Sequence, residues 1–298
     1  MGANHLLRGL AGVGLALGVA SGPAPQVFRG RVDVVSANVS VRDGNKLVTG
    51  LGTGNFVLTD NGVPQQIEAV SNEAVPVDLT IVVDVSQEAV AHRRIAEFRS
   101  DVQQIGALLK RADRLQVLAA GTYVKAIVPL QPVSDAWSLD ALPQGGGLSN
   151  VDATAMALIQ PAETDRRQVI VVFTEALDTF STIPRQALPA IAKRSDALLQ
   201  IVLAKTWTGG VGRGNYGLPS SAMAFVEAAQ ITGGDGIPLG GGVVDAVKNV
   251  LQSFAQSYVL RYSPRGVDPS GWHELSIRVT GTRGSNYRVR ARRGYFGG

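Results

Sequence analysis

The run TIVVDVSQEAV, residues 80–90, closes on oxygen-bearing side chains at alternate positions: Asp84, Ser86 and Glu88. Carboxylate and hydroxyl oxygens are the ligands that hard divalent cations such as Mg²⁺ take, with waters completing the shell. The apolar residues before them read as a buried strand. In an open α/β sheet, ligands bind beyond the carboxyl ends of such strands. The same residues also suit an ordinary helix start, with Ser86 as the cap and the acids favoured by the helix dipole. The stretch therefore points either to a metal-binding, partner-binding site or to a strand followed by a helix.

Other chemistry finds little support. There are no cysteines, which excludes disulfides, thiolate metal sites and cysteine nucleophiles. Histidine is scarce: His5 near the start, His92 after the acidic loop and His273 in a late strand. Neither a G-x-S-x-G elbow nor an H-E-x-x-H pair occurs, so serine hydrolases and zinc proteases are disfavoured. Residues Gly212–Gly217 match G-x-G-x-x-G, but they lie well past the preceding apolar run rather than in a tight strand-to-helix turn, and read as a surface loop. Arg288, Arg290 and Arg292 alternate with Val289 and Ala291. Such a row can bind acidic polymers such as anionic polysaccharide or nucleic acid, but it reads rather as the solvent face of a strand, where charge discourages edge-to-edge pairing. No DNA- or RNA-binding motif accompanies it, so nucleic acid is not an expected partner.

The elements that must position Asp84, Ser86 and Glu88 can be read from patterning. With 298 residues, 45% hydrophobic and 17% charged, the chain is globular and long enough to bury a substantial core. Residues 1–22 carry Arg8, an apolar stretch from Leu10 to Ala20 and then small residues, the layout of a secretory signal peptide. That stretch is too short to span a membrane, and no later segment reads as transmembrane. The expected location is outside the cytoplasm: periplasmic, cell-envelope or secreted. Residues 27–74 form a small β module, with Val35, Ala37, Val39 and Val41 on one face and the hairpin signal Asp60-Asn61-Gly62. In residues 75–256 the apolar runs become continuous and alternate with helical stripes, which predicts a mostly parallel sheet between helices. Pro184 suits a helix start, whereas Pro189 should break or kink that helix. Residues 257–298 return to strands, with eight Arg against Asp268 and Glu274, about +6 where the whole chain has +4.

Three stretches carry a resemblance to a family. VDVVSANVSVRDGNKLVTGL…NFVLTDNGVPQQI precedes VDLTIVVDVS, and SYVLRYSP…WHELSIRVTG…YRVRARRGYF ends the chain. The order resembles von Willebrand factor type A (vWA) proteins, more narrowly the vWA-related proteins described from acidobacteria. The resemblance implies a Rossmann-like three-layer α/β domain with flanking N- and C-terminal β modules, exported and used for adhesion or binding rather than catalysis. It also implies a protein partner at the loops where the sheet strands end. The family's metal-ion-dependent adhesion site (MIDAS) uses Asp-x-Ser-x-Ser after the first strand, a Thr in a later loop and an Asp after a later strand. Asp84 and Ser86 match, and Glu88 stands where the second Ser belongs. The Thr position falls on Leu148 with Ser149 beside it, and the last acid is Glu175, with Asp178 close behind. The resemblance thus implies a degenerate site for Mg²⁺, Mn²⁺ or Ca²⁺ made by Asp84, Ser86, Glu88, Ser149 and Glu175. Its alternative is a structural cell-envelope scaffold whose site is vestigial and metal-free.

Overall fold

The alternation at the start of the β region becomes strand β1 (Val35–Asp43), which buries Ala37, Val39 and Val41. The computed structural model describes residues 34–72, 75–85, 94–133, 146–163, 165–203, 220–239, 242–281 and 286–298, the side chains of 94–99 excepted. Short strands β2 (Lys46–Leu47), β3 (Phe56–Asp60), β4 (Val63–Gln65) and β5 (Ala69–Ser71) follow. Asn61 and Gly62 adopt φ of 46° and 79°, the left-handed pair that a two-residue hairpin turn needs, and β3 pairs with β4 across it.

Next come β6 (Val77–Asp84), α1 (Arg94–Gly106), β7 (Arg114–Ala120), β8 (Val124–Pro132), α2 (Asn150–Leu158) and β9 (Arg167–Thr174). They are followed by α3 (Leu188–Ala192), β10 (Leu198–Leu203), α4 (Ser220–Thr232), β11 (Gly236–Pro238) and α5 (Val243–Ala255). The strands of this section form one mixed sheet in the order β11-β10-β9-β6-β7-β8. Pairing is parallel from β11 to β7, and β8 runs antiparallel to β7. Continuous apolar sequence is what a strand covered on both faces requires. On one face Ile81 and Val171 pack with Val102 of α1 and with Val247 and Phe254 of α5. On the other, Val82 and Ile170 pack with Val151 of α2, Leu188 of α3 and Phe225 of α4. Pro189 does not break a helix. It falls in the first turn of α3, where its missing N–H costs no intrahelical bond.

Strands β12 (Tyr258–Tyr262), β13 (Gly271–Val279), β14 (Arg288–Ala291) and β15 (Gly294–Gly297) end the chain. They pair with the first strands in two sheets, β14-β1-β12-β5 with β2 on β1, and β15-β13-β3-β4. Ala37, Val39 and Leu260 of one sheet and Phe56, Leu58 and Leu275 of the other share one apolar core. At its edge lies a polar knot. Asp60 is fully buried; its Oδ1 lies 2.8 Å from His273 Nδ1, and its Oδ2 accepts the hydroxyls of Tyr262 and Tyr295 at 2.9 Å each. Burial pushes both phenols up, that of Tyr295 to about 12, so both remain protonated donors at neutral pH.

The row Arg288–Arg292 is not simply a solvent face. Arg290 pairs with Asp235, and Arg292 reaches Asp196 at 2.7 Å, so two of its arginines tie β14 and the residue after it to the helical section. Among the described residues, no helix is long and apolar enough to cross a membrane.

Candidate functional site

Taken in chain order, the central strands β6, β7, β8, β9, β10 and β11 lie in the sequence 3-2-1-4-5-6 across the sheet. That order reverses between β6 and β9, and the crevice at such a switch point is where open α/β sheets bind ligands. Asp84 ends β6, and Glu175 directly follows β9 at the same sheet end. Ser86 and Glu88 lie outside the described residues, as do His92 and Gly212–Gly217.

The loop before α2 is brought to this crevice by hydrogen bonds to its neighbours. Gly147 N–H donates to Thr122 Oγ1 at 3.0 Å. Leu148 O accepts from the backbone N–H groups of Thr179 and Phe180 at 2.9 and 2.8 Å. Ser149 is buried, and its hydroxyl donates to Gly121 O at 2.7 Å. Leu148, at the position where the resemblance places a threonine, is buried as well. Ala176, buried at φ 54°, makes the sharp turn after β9; its N–H donates to Thr174 Oγ1 at 2.9 Å.

Asn150, the first residue of α2, is the residue sequence reasoning passed over. Fully buried, it donates from Nδ2 to Leu177 O at 2.9 Å and to Asp84 Oδ2 at a long 3.4 Å. Its Oδ1 is buried with no partner. The signal available in the sequence was an asparagine at a helix start, which reads as a cap. The capping role belongs instead to Asp178. Its Oδ2 accepts Val151 N–H at 2.7 Å, supplying from a different loop the acceptor that the helix start needs, and it also takes the Ser181 hydroxyl at 2.7 Å. Asp152 in turn accepts the N–H groups of Thr182 and Ile183 at 2.9 Å each. Asp178 and Asp152 are thus held in loop and helix-start bonds.

A divalent cation needs oxygen lone pairs converging on one point. The described donors do not supply such a shell. Among the described residues no three His, Cys, Asp or Glu side chains come together. Ser149 directs its proton to a backbone carbonyl, and the Asn150 amide donates to Asp84. The rim offers a different feature: Tyr123, Leu177 and Phe180, on the loops after β7 and β9, are 67%, 40% and 55% exposed. Phe180 lies against Gly147, where an added Cβ would stand 1.7 Å from its ring.

No family model matches the chain, and no curated protein does. Several solved structures are similar in arrangement. One is a von Willebrand factor type A structure from Catenulispora acidiphila, with 9% identity and a TM-score of 0.48, covering 90% of this chain and 75% of that one. Another is proximal thread matrix protein 1 from the mussel byssus, described with a zinc-occupied MIDAS motif, with 10% identity, a TM-score of 0.46 and 65% of this chain covered. This chain spans about half of that protein, 49%. An aerotolerance-related membrane protein from Bacteroides fragilis has 16% identity and a TM-score of 0.41, with 60% of this chain and 98% of that one covered.

Proposed function

We propose that this chain is an exported protein-interaction module of the vWA type, binding rather than catalytic. Its degenerate site would be held by hydrogen bonds in place of a resident metal. The observation that carries this reading is the placement of exposed Tyr123, Leu177 and Phe180 around the switch-point crevice that Asp84 and Asn150 line. Large apolar side chains left in water at a ligand-binding sheet end suit a partner interface, where aromatic anchors supply most of the binding energy. The vWA assignment is supported by the motifs at 32–67, 77–86 and 257–296. Export is supported by the leader pattern of residues 1–22 and predicts a mature start between Ser21 and Gln26.

The alternative is an envelope scaffold with a vestigial site, and the amide facing Asp84 also suits it. The two readings separate in a capture experiment from envelope extract, using the wild type and a Leu177→Ser/Phe180→Ser variant, each with and without EDTA. The interaction reading expects specific capture that survives EDTA and is lost in the variant. Capture that is equal for both proteins would place the contacts elsewhere and favour the scaffold. N-terminal sequencing of protein from the native host tests export, and an intact Met1 on cytoplasmic protein would count against it.

A further inference from the structure

Between β14, β1, α5 and the turn Gly233–Asp235 runs a groove of about 500 Å³, continuous through Gly233, Gly234, Arg288 and Arg290 with a second hollow of about 410 Å³. Its size is that of an ordinary ligand cleft, roughly 300–1,000 Å³. Arg42 and Arg288 are directly opposed in the β1–β14 register, a like-charge cross-strand pair that is intrinsically unfavourable. Arg42 is held by Ser253 Oγ and by Asn45 O, neither of which carries charge. Arg288 is exposed and has no hydrogen bond or ion pair among the described residues. Arg290 and Arg293 add two more guanidinium groups, and the only carboxylate lining either hollow, among the described residues, is Asp235, already paired with Arg290.

The neutral side chains of the groove are equally distinctive. Asn38, Ser40, Asn249 and Gln252 line it, and none has a side-chain hydrogen bond within the described protein. Its aromatic member, Phe254, is buried, so the groove offers no exposed face on which a nucleic-acid base could stack. We propose that this groove binds an acidic oligosaccharide. The opposed arginines would take a carboxylate with the fork geometry that guanidinium groups provide, and the amides and hydroxyls would take the sugar hydroxyls. An anion bridging Arg42 and Arg288 removes their mutual repulsion, which gives the pairing a reason to persist in the sheet.

The test uses the full chain and three probes: oligogalacturonate, a neutral malto-oligosaccharide of equal length and a single-stranded oligodeoxynucleotide. Titration calorimetry should show oligogalacturonate binding that weakens with added salt and falls about tenfold in Arg288→Gln, the loss expected for a hydrogen bond between charged groups. The neutral sugar should not bind. Arg278→Gln removes the same charge from an exposed position on β13, outside the groove, and should leave affinity unchanged. Absence of oligogalacturonate binding would overturn the proposal. So would an equal loss in both variants, which signifies net charge alone, or tighter oligonucleotide binding that depends on Arg288.

Discussion

Asn150 places an amide N–H against Asp84, the acid that a metal-binding reading of this crevice needs most, while its own Oδ1 is buried without a partner. Replacing that amide by a carboxylate sets two acids side by side in a buried place. Asn150→Asp should therefore lose about 1–3 kcal/mol without metal. Its melting temperature should rise with millimolar Mn²⁺, Mg²⁺ or Ca²⁺ through mass action, and that of the wild type should not. A comparable rise in the wild type, abolished by Asp84→Ala, would show that the native residues hold a cation after all. Asp60 supports a second prediction at this scale. Its two oxygens serve His273, Tyr262 and Tyr295, so Asp60→Ala leaves buried partners unsatisfied and should cost about 3–5 kcal/mol in urea unfolding. Asp60→Asn, which keeps one acceptor oxygen, should cost less. Equal and small losses would mean that water reaches the knot.

Strand β6 carries chemistry at both ends. Near its start, Asp78 is 3% exposed, and its Oδ1 accepts from Arg114 Nε at 2.8 Å and Arg166 Nε at 2.7 Å. Burial pushes this carboxyl up, but the two guanidinium groups outweigh it and hold the pKa below the ordinary value. A depressed folded pKa contributes stability that is present above the unfolded carboxylate range and is lost as pH falls through the folded value. Asp78→Asn should thus cost about 1.5–3 kcal/mol at pH 7. The gap to wild type should narrow as pH drops below about 4, the unfolded aspartate value. Denaturant unfolding across pH measures this, and a gap independent of pH would show that packing rather than charge makes the difference. At the other end of β6, the loops that meet Asp84 are ordered by Asp178 and Asp152, which hold the start of α2.

The terminal strands join the two ends of the described β region. Val39 pairs with both Tyr258 and Ala291, and Leu58 pairs with Ile277, so β1 and β3 take neighbours from the other end of the chain. Deleting Ser257–Gly298 removes β12 to β15, exposes the apolar faces of Ala37, Val39 and Leu58 and strips Asp60 of its partners. The truncated chain should lose protease protection across residues 35–71, with cleavage there preceding cleavage in the central sheet. Unchanged protection of that segment would mean that the first strands fold without the last ones.

Much of this could be read from local pattern. Alternation in β1, the Asp60-Asn61-Gly62 turn and the continuous apolar runs of β6 and β9 each report a backbone geometry that neighbouring residues alone specify. Asp84 could be singled out because an acid at the end of an apolar run is conspicuous, and Glu175 because the family resemblance pointed to its position. The strand patterns at the two chain ends suggested that those segments pack together, but the amide opposite Asp84 and the aspartate that caps α2 from another loop left no such mark. The three-residue β11 was equally silent, since so short a strand exists only because β10 lies beside it. Arg42 and Arg288 show the same division most plainly. Each is an ordinary strand arginine in sequence, and only the β1–β14 register makes them face each other. Patterning reports which face of an element is apolar, whereas which polar groups meet depends on how distant elements pack, and that is decided by the tertiary fold.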